Sequence, residues 1–369
     1  TQGRSFYILD DLTLLHQLKD AGGMSGLNET RLFRPEDTYR MDGGGGFPLP
    51  ATATIGRNPP NGVVVYYSLK SKPTTDVVLE FTDANGKSIQ KFTARAPKPQ
   101  PTPAPGSAPV QTPPEQPQAP SGEESEFFAG GGGAPRVTTN AGLNRFVWNM
   151  RYADATRFPG MILWAGDTSG PRIVPGTYTV KLTADGQTLT QIFEVRKDPR
   201  LAATSEDFAK QLDLALKIRD KFSETSNAIL EIRDVKRQVD DLLKRVQGQP
   251  NFKTINDAAT QLSRSLTEIE ETLYQTKNQS SQDPLNFPIR LNNKLAALGG
   301  VVASADAAPT AQSYEIYNDL TSQIDAQLAR LQQIIKTDLP AFNRLVREQD
   351  IPAVVVKPPQ QAGTTPPQP

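Results

Sequence analysis

The sequence predicts a multidomain protein of β and α structure: a terminal strand, a β-sandwich of immunoglobulin or fibronectin type, then an antiparallel helical bundle with one long helix. Between residues 63 and 198, short runs rich in valine, threonine and aromatic residues are separated by turns such as Asn85-Gly86, which is typical of short antiparallel strands. Beyond residue 199, apolar residues recur every three or four positions, which indicates amphipathic helices.

The first element, residues 1–20, begins with a short apolar run formed by Phe6, Tyr7, Ile8 and Leu9. Successive side chains of a strand point to opposite faces, so both faces of this strand are apolar. Such a strand requires cover on both faces and neighbours at its edges, whereas the next strand-like run begins only at Val63. We therefore expect its neighbours on a polypeptide outside this sequence.

Residues 21–62 are rich in glycine and proline and include four consecutive glycines at 43–46. A stretch of this composition does not build a core of its own. The sequence therefore predicts an extended connector that lies over a neighbouring surface, with Phe33, Tyr39 and Phe47 as its anchors.

The β-sandwich is predicted over residues 63–198, with hairpin turns at Asn85-Gly86 and Asp185-Gly186. A proline-rich insert at 96–135 offers few apolar side chains to bury, so we expect it to be disordered. A polyproline ligand for an aromatic groove is the alternative interpretation of that insert. The candidate core residues are Phe146, Trp148, Tyr178, Val180 and Leu182.

The helical bundle is predicted over residues 199–350. Thr204 or Ser205 begins a helix of about forty residues, near 60 Å in length. A second helix has apolar residues spaced alternately by four and three positions, which is typical of a seam against an antiparallel partner. Pro340 is expected to kink or end the last helix, and residues 351–369 are expected to be a disordered tail. The members of the seam are Ile255, Ala259, Leu262, Leu266, Ile269 and Leu273.

Composition argues against several classes of function. Lys and Arg number 40, as do Asp and Glu, so no net field favours nucleic acid. The chain has no cysteine and one histidine, His16, which removes the usual zinc ligands and most nucleophile–base arrangements. No run is long and apolar enough to predict a membrane span. We predict no catalytic residues, no cofactor-binding residues and no metal ligands.

Two groups of residues nevertheless qualify as candidates. Carboxylate pairs for glycoside cleavage could come from Asp10-Asp11 or from Asp154 with Asp167. Phe158, Met161 and Trp164 lie on a loop between the second pair. That loop is a candidate contact surface for recognition, although packing of the sandwich onto the helices or onto a missing part is the favoured interpretation.

Several segments carry a resemblance to a known family: "GRSFYILDDLTLLHQL", "LNRFVWNMRY", "GPRIVPGTYTVKLTADGQTLTQIFEVRKDPR", "DLALKIRDK" and "FPIRLNNKLAALGGVVASADAAPTAQSYE". In this order they resemble the C-terminal region of bacterial secreted β-propeller proteins with sortilin-like or bacterial-neuraminidase (BNR) repeats, which are often labelled glycosyl hydrolases. The Asp-box pattern of those repeats, Ser-x-Asp-x-Gly-x-Thr-Trp, is absent from this sequence. No ligand-binding or catalytic residue of the propeller can therefore be carried over.

The resemblance implies a β-propeller upstream, with residues 1–20 as its last strand and exit. Phe6, Tyr7, Ile8 and Leu9 would then complete a propeller blade, which is covered on both faces by its neighbours. It further implies an immunoglobulin-like domain, a helical bundle and an extracytoplasmic location in the periplasm, at the cell surface or outside the cell.

Three functions are compatible with these observations. The first is a non-catalytic structural or interaction module that packs on or completes a β-propeller, located upstream in the same polypeptide or on a separate chain, within a larger assembly. The second is an accessory part of a glycan-active, sialidase-like enzyme whose catalytic propeller is absent here, with the Trp164 loop shaping access of the substrate. The third is a helical scaffold that forms homo-oligomers through Leu214, Leu216 or Leu243.

Overall fold

The computed structural model describes residues 11–41, 60–96 and 135–349, which contain both β-sheets and α-helices. The predicted strand at Phe6–Leu9, the anchor Phe47, nearly all of the insert at 96–135 and the tail at 351–369 lie outside the described residues. The chain divides into two compact units. The two-sheet unit comprises Thr1–Asp154, Ser169–Asp213 and Asp306–Ala308; the helical unit comprises Ala155–Thr168, Leu214–Ala305 and Pro309–Pro369.

The two-sheet unit contains eight described strands: β1 (Arg31–Leu32), β2 (Thr38–Arg40), β3 (Val63–Leu69), β4 (Val77–Asp83), β5 (Ser88–Ala94), β6 (Gly142–Trp148), β7 (Gly176–Ala184) and β8 (Gln187–Lys197). One sheet has the order β1-β3-β6 and the other the order β2-β8-β7-β4-β5. Neighbouring strands are antiparallel except β2, which runs parallel to β8. Short hairpins join two of the five antiparallel pairs, β4–β5 and β7–β8, whereas the other three pair strands that are far apart in the chain.

Both sheets contribute to one hydrophobic core, and Trp148 lies at its centre. Its indole stacks on the Phe81 ring of the other sheet with 4.2 Å between centroids. Alternate residues of each strand point inward, as the pleat of a strand requires. The predicted core is confirmed, because its five members are all buried: Phe146, Trp148, Tyr178, Val180 and Leu182.

The predicted connector contains more regular structure than its composition suggested. It is preceded by helix α1 (Thr13–Asp20) and includes a 3-10 turn at Gly23–Asn28, followed by β1 and β2. These two short strands extend one edge of each sheet. Phe33 is buried as expected, but Tyr39 is exposed and the neighbouring Arg40 points inward instead. Local composition missed the strands because their partners lie far away in the sequence.

The helices are α2 (Ser205–Val246), α3 (Phe252–Leu273), α4 (Leu291–Ala303), α5 (Ala311–Gln333) and α6 (Leu339–Glu348). The long helix is confirmed at 42 residues. It starts at the predicted position, because Thr204 and Asp207 cap each other: each side chain accepts the backbone N–H of the other residue, at 3.2 and 2.8 Å. Pro340 follows a five-residue π-helical turn at Ile334–Asp338, between α5 and α6.

Within the helical unit, the helices pack around one hydrophobic core. All six residues of the seam predicted on α3 are buried. On α2, the spacing of apolar residues in the sequence predicts a buried stripe that begins at Phe208, Leu212 and Ala215. Phe208 is buried, but Leu212 and Ala215 are only partly buried, and Leu214 and Ile218 are buried instead. Within the described ranges, no helix has the combination of length and apolar character needed to span a bilayer.

Candidate functional site

Helix α1 is fastened to the two-sheet unit by a single glutamine. The Gln17 carboxamide donates Nε2–H to the carbonyl of Arg34 (2.9 Å) and accepts the backbone N–H of Arg34 at Oε1 (2.7 Å). One amide side chain thereby replaces the two hydrogen bonds that a neighbouring strand would make. Leu18, one residue further along α1, is buried. The helix is therefore held in a defined orientation on the edge of β1.

Two exposed leucines lie on the side of α1 away from Gln17: Leu12, which immediately precedes the helix, and Leu15 are 47% and 51% exposed. They are three residues apart and so lie on one side, well away from Gln17 around the helix. We call these two residues the α1 face. Met24, on the following 3-10 turn, is also exposed. An ordered helix with leucines facing water is a candidate contact surface for another protein.

A cleft of about 420 Å³ lies beside α1, and we call it the β1–β8 cleft. Its volume falls within the range of pockets that bind small ligands or peptide side chains. Gln191 bridges the two strands, because its Nε2–H donates to the carbonyl of Leu32 (3.0 Å). The lining residues are Gln17, Asp20, Ala21, Thr30, Arg31, Leu32, Phe33, Leu189, Thr190 and Gln191.

In the predicted contact loop, Phe158 and Met161 are buried in the core of the helical unit rather than presented to solvent. The Phe158 ring packs edge to face on Tyr274, the residue that follows α3, with 4.9 Å between ring centroids. The Arg233 guanidinium lies over the Phe158 ring, 4.5 Å from its centroid. The Tyr274 hydroxyl accepts the backbone N–H of Ile162 (3.0 Å). These contacts fix the loop onto α2 and the end of α3.

Trp164 differs from the other two, because 38% of it remains exposed. Its backbone is clamped by Asn293 of α4, which accepts the N–H of Trp164 (2.7 Å) and donates to its carbonyl (2.8 Å). Of the three loop residues predicted from the sequence, Trp164 alone presents substantial surface to a partner.

The candidate carboxylates have structural contacts. Asp154 accepts the backbone N–H of Gly170 (2.8 Å), and Asp11 accepts the N–H of Thr13 at the start of α1 (2.7 Å). Asp10 lies outside the described residues. Asp154 belongs to the two-sheet unit and Asp167 to the helical unit. Across the described ranges, no three His, Asp or Glu side chains are grouped as metal ligands would be.

Two buried tyrosines, each hydrogen-bonded to a backbone carbonyl, have raised pKa values. Burial raises the pKa of Tyr178, whose hydroxyl donates to the carbonyl of Val174 (2.5 Å). Burial likewise raises the pKa of Tyr67, which donates to the carbonyl of Thr138 (2.6 Å). Both phenols stay protonated at neutral pH and serve as hydrogen-bond donors within the two-sheet unit.

The positions proposed for homo-oligomer contacts are largely occupied within the chain. Leu214 is fully buried and Leu243 packs against the core of the helical unit. Leu216 is half-buried. These side chains therefore offer little surface to a second copy.

Sequence reasoning missed the residues that build the β1–β8 cleft. Gln17, Arg31 and Gln191 belong to no motif, and the contacts of both glutamines are with residues distant in the sequence. For the neighbouring α1 face the sequence does carry a local signal: Leu12, Leu14, Leu15 and Leu18 indicate an apolar segment after the first strand, but their spacing does not show which of them stay exposed.

No protein-family model and no curated protein matches the chain. Among solved structures, the chain is similar to one titled "pT26-6p", with 10% sequence identity and a TM-score of 0.12, over 78% of this chain and 46% of that one. The chain thus spans less than half the length of that protein. At this TM-score the likeness bears on neither fold nor function.

Proposed function

We propose that this chain is a non-catalytic interaction module of an exported β-propeller protein, and that the α1 face docks on the propeller. The observation that carries the proposal is the α1 face itself: Leu12 and Leu15 are exposed on a helix that Gln17 holds in place. A docking surface benefits from this arrangement, because the ordering of the helix is complete before the partner arrives.

We further propose that the two-sheet unit is an immunoglobulin-like sandwich. The strand order supports this assignment, since β1 and β2 follow one another in the chain yet join opposite sheets, β2 running parallel to the last strand. A second support is Tyr178, near the start of β7, whose hydroxyl donates to the carbonyl four residues upstream. That contact resembles the tyrosine corner of such sandwiches. We propose the helical unit to be an antiparallel bundle.

The propeller partner and the extracytoplasmic location are proposed from the resemblance of the segments quoted above. In this proposal, Phe6, Tyr7, Ile8 and Leu9 complete a propeller blade, and α1 follows that strand directly. The α1 face would then rest against the blade that its own chain completes. Leucines on such a face would be covered by the propeller and not by the two-sheet unit.

Photo-crosslinking in the organism that encodes the chain tests the proposal. A benzophenone amino acid replaces Leu15, and the crosslinked peptides are identified by mass spectrometry. We expect peptides from a β-propeller sequence, whichever polypeptide carries it. The control places the same group at Leu285, a leucine of the helical unit that is 69% exposed. Crosslinks from position 15 that reach this chain alone, or the same products from both positions, would contradict the proposal.

The double variant Leu12→Glu/Leu15→Glu provides an independent test. Two carboxylates cannot be buried against an apolar surface without a large desolvation penalty. With the propeller supplied as a separate polypeptide, we therefore expect its recovery with the chain to fall at least about tenfold, while the folded state is unaffected because both leucines are about half exposed. Unchanged recovery would rule out the α1 face as the docking surface.

A further inference from the structure

We propose that the free edge of β8 binds an extended peptide by strand addition, and that an acidic side chain of this peptide pairs with Arg31 in the β1–β8 cleft. This site is separate from the α1 face and does not depend on the identity of the partner that docks there.

The register between β7 and β8 determines which backbone N–H and carbonyl groups of β8 are free to bond to an added strand. The Asp185-Gly186 turn joins Ala184 directly to Gln187, so the odd-numbered residues of β8 bond to β7 and the even-numbered ones face the other edge. Two contacts agree with this: the carbonyl of Ile192 accepts Nε–H of Arg34 (3.2 Å), and the N–H of Glu194 donates to Asp37 (3.2 Å).

The outward groups nearest the turn belong to Thr188 and Thr190. The neighbouring strand β2 pairs only with residues 195–197 of β8, and no other strand in the described ranges pairs with that edge. Thr190 also lines the β1–β8 cleft. An extended peptide placed there would find the backbone donors and acceptors that strand addition uses.

The facing edge formed by β1 and the residues after it is partly occupied by side chains. Gln17 bonds both the N–H and the carbonyl of Arg34, and Gln191 bonds the carbonyl of Leu32. Capping of an edge in this way prevents the addition of strands. The two sides of the cleft therefore differ, and β8 is the side whose backbone groups are not capped by side chains in this way.

Arg31 defines the chemistry of the ligand. It lines the cleft, and one of its terminal nitrogens pairs with Glu29 (3.2 Å). Its Nε is buried and has no hydrogen-bond partner within the described part of the chain. The side chain as a whole is 39% exposed, so a carboxylate that enters the cleft could reach the guanidinium and form a charge-assisted contact. Asp20 also lines the cleft and would repel a second acid, so we expect one acidic residue in an otherwise uncharged or basic segment.

Selection of peptides from a displayed library of random heptapeptides on the full chain tests this inference. We expect the enriched sequences to combine one acidic residue with β-branched neighbours. Thr190→Pro should weaken their binding at least about tenfold, since proline removes the N–H on the free edge. Arg31→Gln should weaken it about fivefold or more through the lost charge.

Thr93→Pro is the matched control, because Thr93 is an exposed threonine of β5, the strand at the opposite edge of the same sheet, and its N–H also faces outward. The enriched peptides should bind the Thr93→Pro variant as tightly as they bind the unmodified chain. An absence of enriched peptides, or peptides equally sensitive to both proline variants, would overturn the proposal. Dimers seen by light scattering and abolished by Thr190→Pro would also overturn it, since a second copy would then be the occupant.

Discussion

At the scale of single residues, carboxylates and carboxamides connect parts of the chain that are far apart in sequence. Asp185 is the clearest example, as it adopts a positive φ of 45° in the β7–β8 turn. Its Oδ1 accepts the backbone N–H groups of Thr74 (3.0 Å) and Thr75 (3.3 Å), and both threonine hydroxyls as well. The turn thereby holds the loop that leads into β4.

The sequence predicts the turn at Asp185-Gly186 but not this partnership. Asp-Gly between two alternating runs is a local signal for a hairpin, whereas Thr74 and Thr75 lie about 110 residues away. The same holds for Gln17 with Arg34 and for Asn293 with Trp164. Amide and carboxylate contacts of this kind depend on the completed tertiary structure, so no local pattern encodes them.

Asp185 makes stability depend on pH. Hydrogen bonds from the backbone of Thr74, with those from Thr75, lower the pKa of its carboxyl below 3.8. Because the pKa is lower in the folded state, the stabilisation is complete above the unfolded value and is lost as pH falls through the folded value. We expect Asp185→Asn to melt at a lower temperature at neutral pH, with the difference from the unmodified chain vanishing well below pH 3.8.

Thermal unfolding followed by Trp148 fluorescence measures this effect, since Trp148 is buried in the two-sheet unit. Asparagine tolerates the left-handed backbone, so the substitution removes the charge and not the conformation. Trp164→Phe in both proteins removes the second tryptophan signal. A difference in melting temperature that is equal at both pH values would show that the charge has no part in the turn.

At the scale of elements, the periodicity of apolar residues predicted where the helices lie in the sequence, but only in part which residues of each helix are buried. The seam of α3 was predicted correctly because a 22-residue helix keeps one face toward its neighbours. Over the 42 residues of α2, steps of seven drift by about 20° each relative to a straight helix. The buried side therefore includes Leu214 and Ile218, which a single straight stripe through Leu212 and Ala215 misses.

The pairing of α2 with α3 is reinforced by a buried carboxylate. Glu270 has a side chain only 5% exposed, and it accepts from Arg233 (2.7 Å) and Lys236 (3.1 Å). Removal of one member of a buried ion pair leaves the other charges poorly solvated. Since Arg233 and Lys236 are partly exposed, we expect Glu270→Ala to lower the free energy of unfolding of the helical unit by about 2 kcal/mol.

Urea unfolding followed by circular dichroism at a helix-sensitive wavelength measures this change. Glu268→Ala is the matched control: Glu268 lies on the same helix and also contacts two arginines, Arg264 (3.4 Å) and Arg330 (3.5 Å), but is 52% exposed. Its loss should cost less than about 1 kcal/mol. Equal losses for the two variants would contradict the role assigned to burial.

At the scale of the whole molecule, the sequence predicted the succession of a β-rich and then a helical part, because strand and helix periodicities are local. It favoured packing of the 155–168 loop onto the helices or a missing part, but it did not predict that this loop belongs to the helical unit, or that residues 199–213 and 306–308 group with the sheets. Those assignments depend on contacts between segments that no periodicity records. The boundary predicted at 198/199 consequently falls within the two-sheet unit.

Arg40 shows how such distant segments contribute to one unit. Its guanidinium bonds Asp306 (2.6 Å) and Gln211 (3.1 Å) and lies over the ring of Phe208 (4.7 Å). The side chains of Arg40 and Asp306 are 5% and 9% exposed. We expect Asp306→Ala to lower the free energy of unfolding of the two-sheet unit by about 3 kcal/mol, because a buried guanidinium loses its countercharge. Asp306→Asn should lose less, since it keeps an acceptor for Arg40.

Urea unfolding followed by Trp148 fluorescence, in chains that carry Trp164→Phe, reports on the two-sheet unit and thus measures this loss. Asp325→Ala is the control, because Asp325 pairs with Lys221 of the helical unit (2.7 Å) and is 57% exposed. It should leave the Trp148 transition unchanged. If Asp306→Ala also leaves that transition unchanged, residues 306–308 do not stabilise the two-sheet unit, and the sheets would be complete without any residue beyond α2.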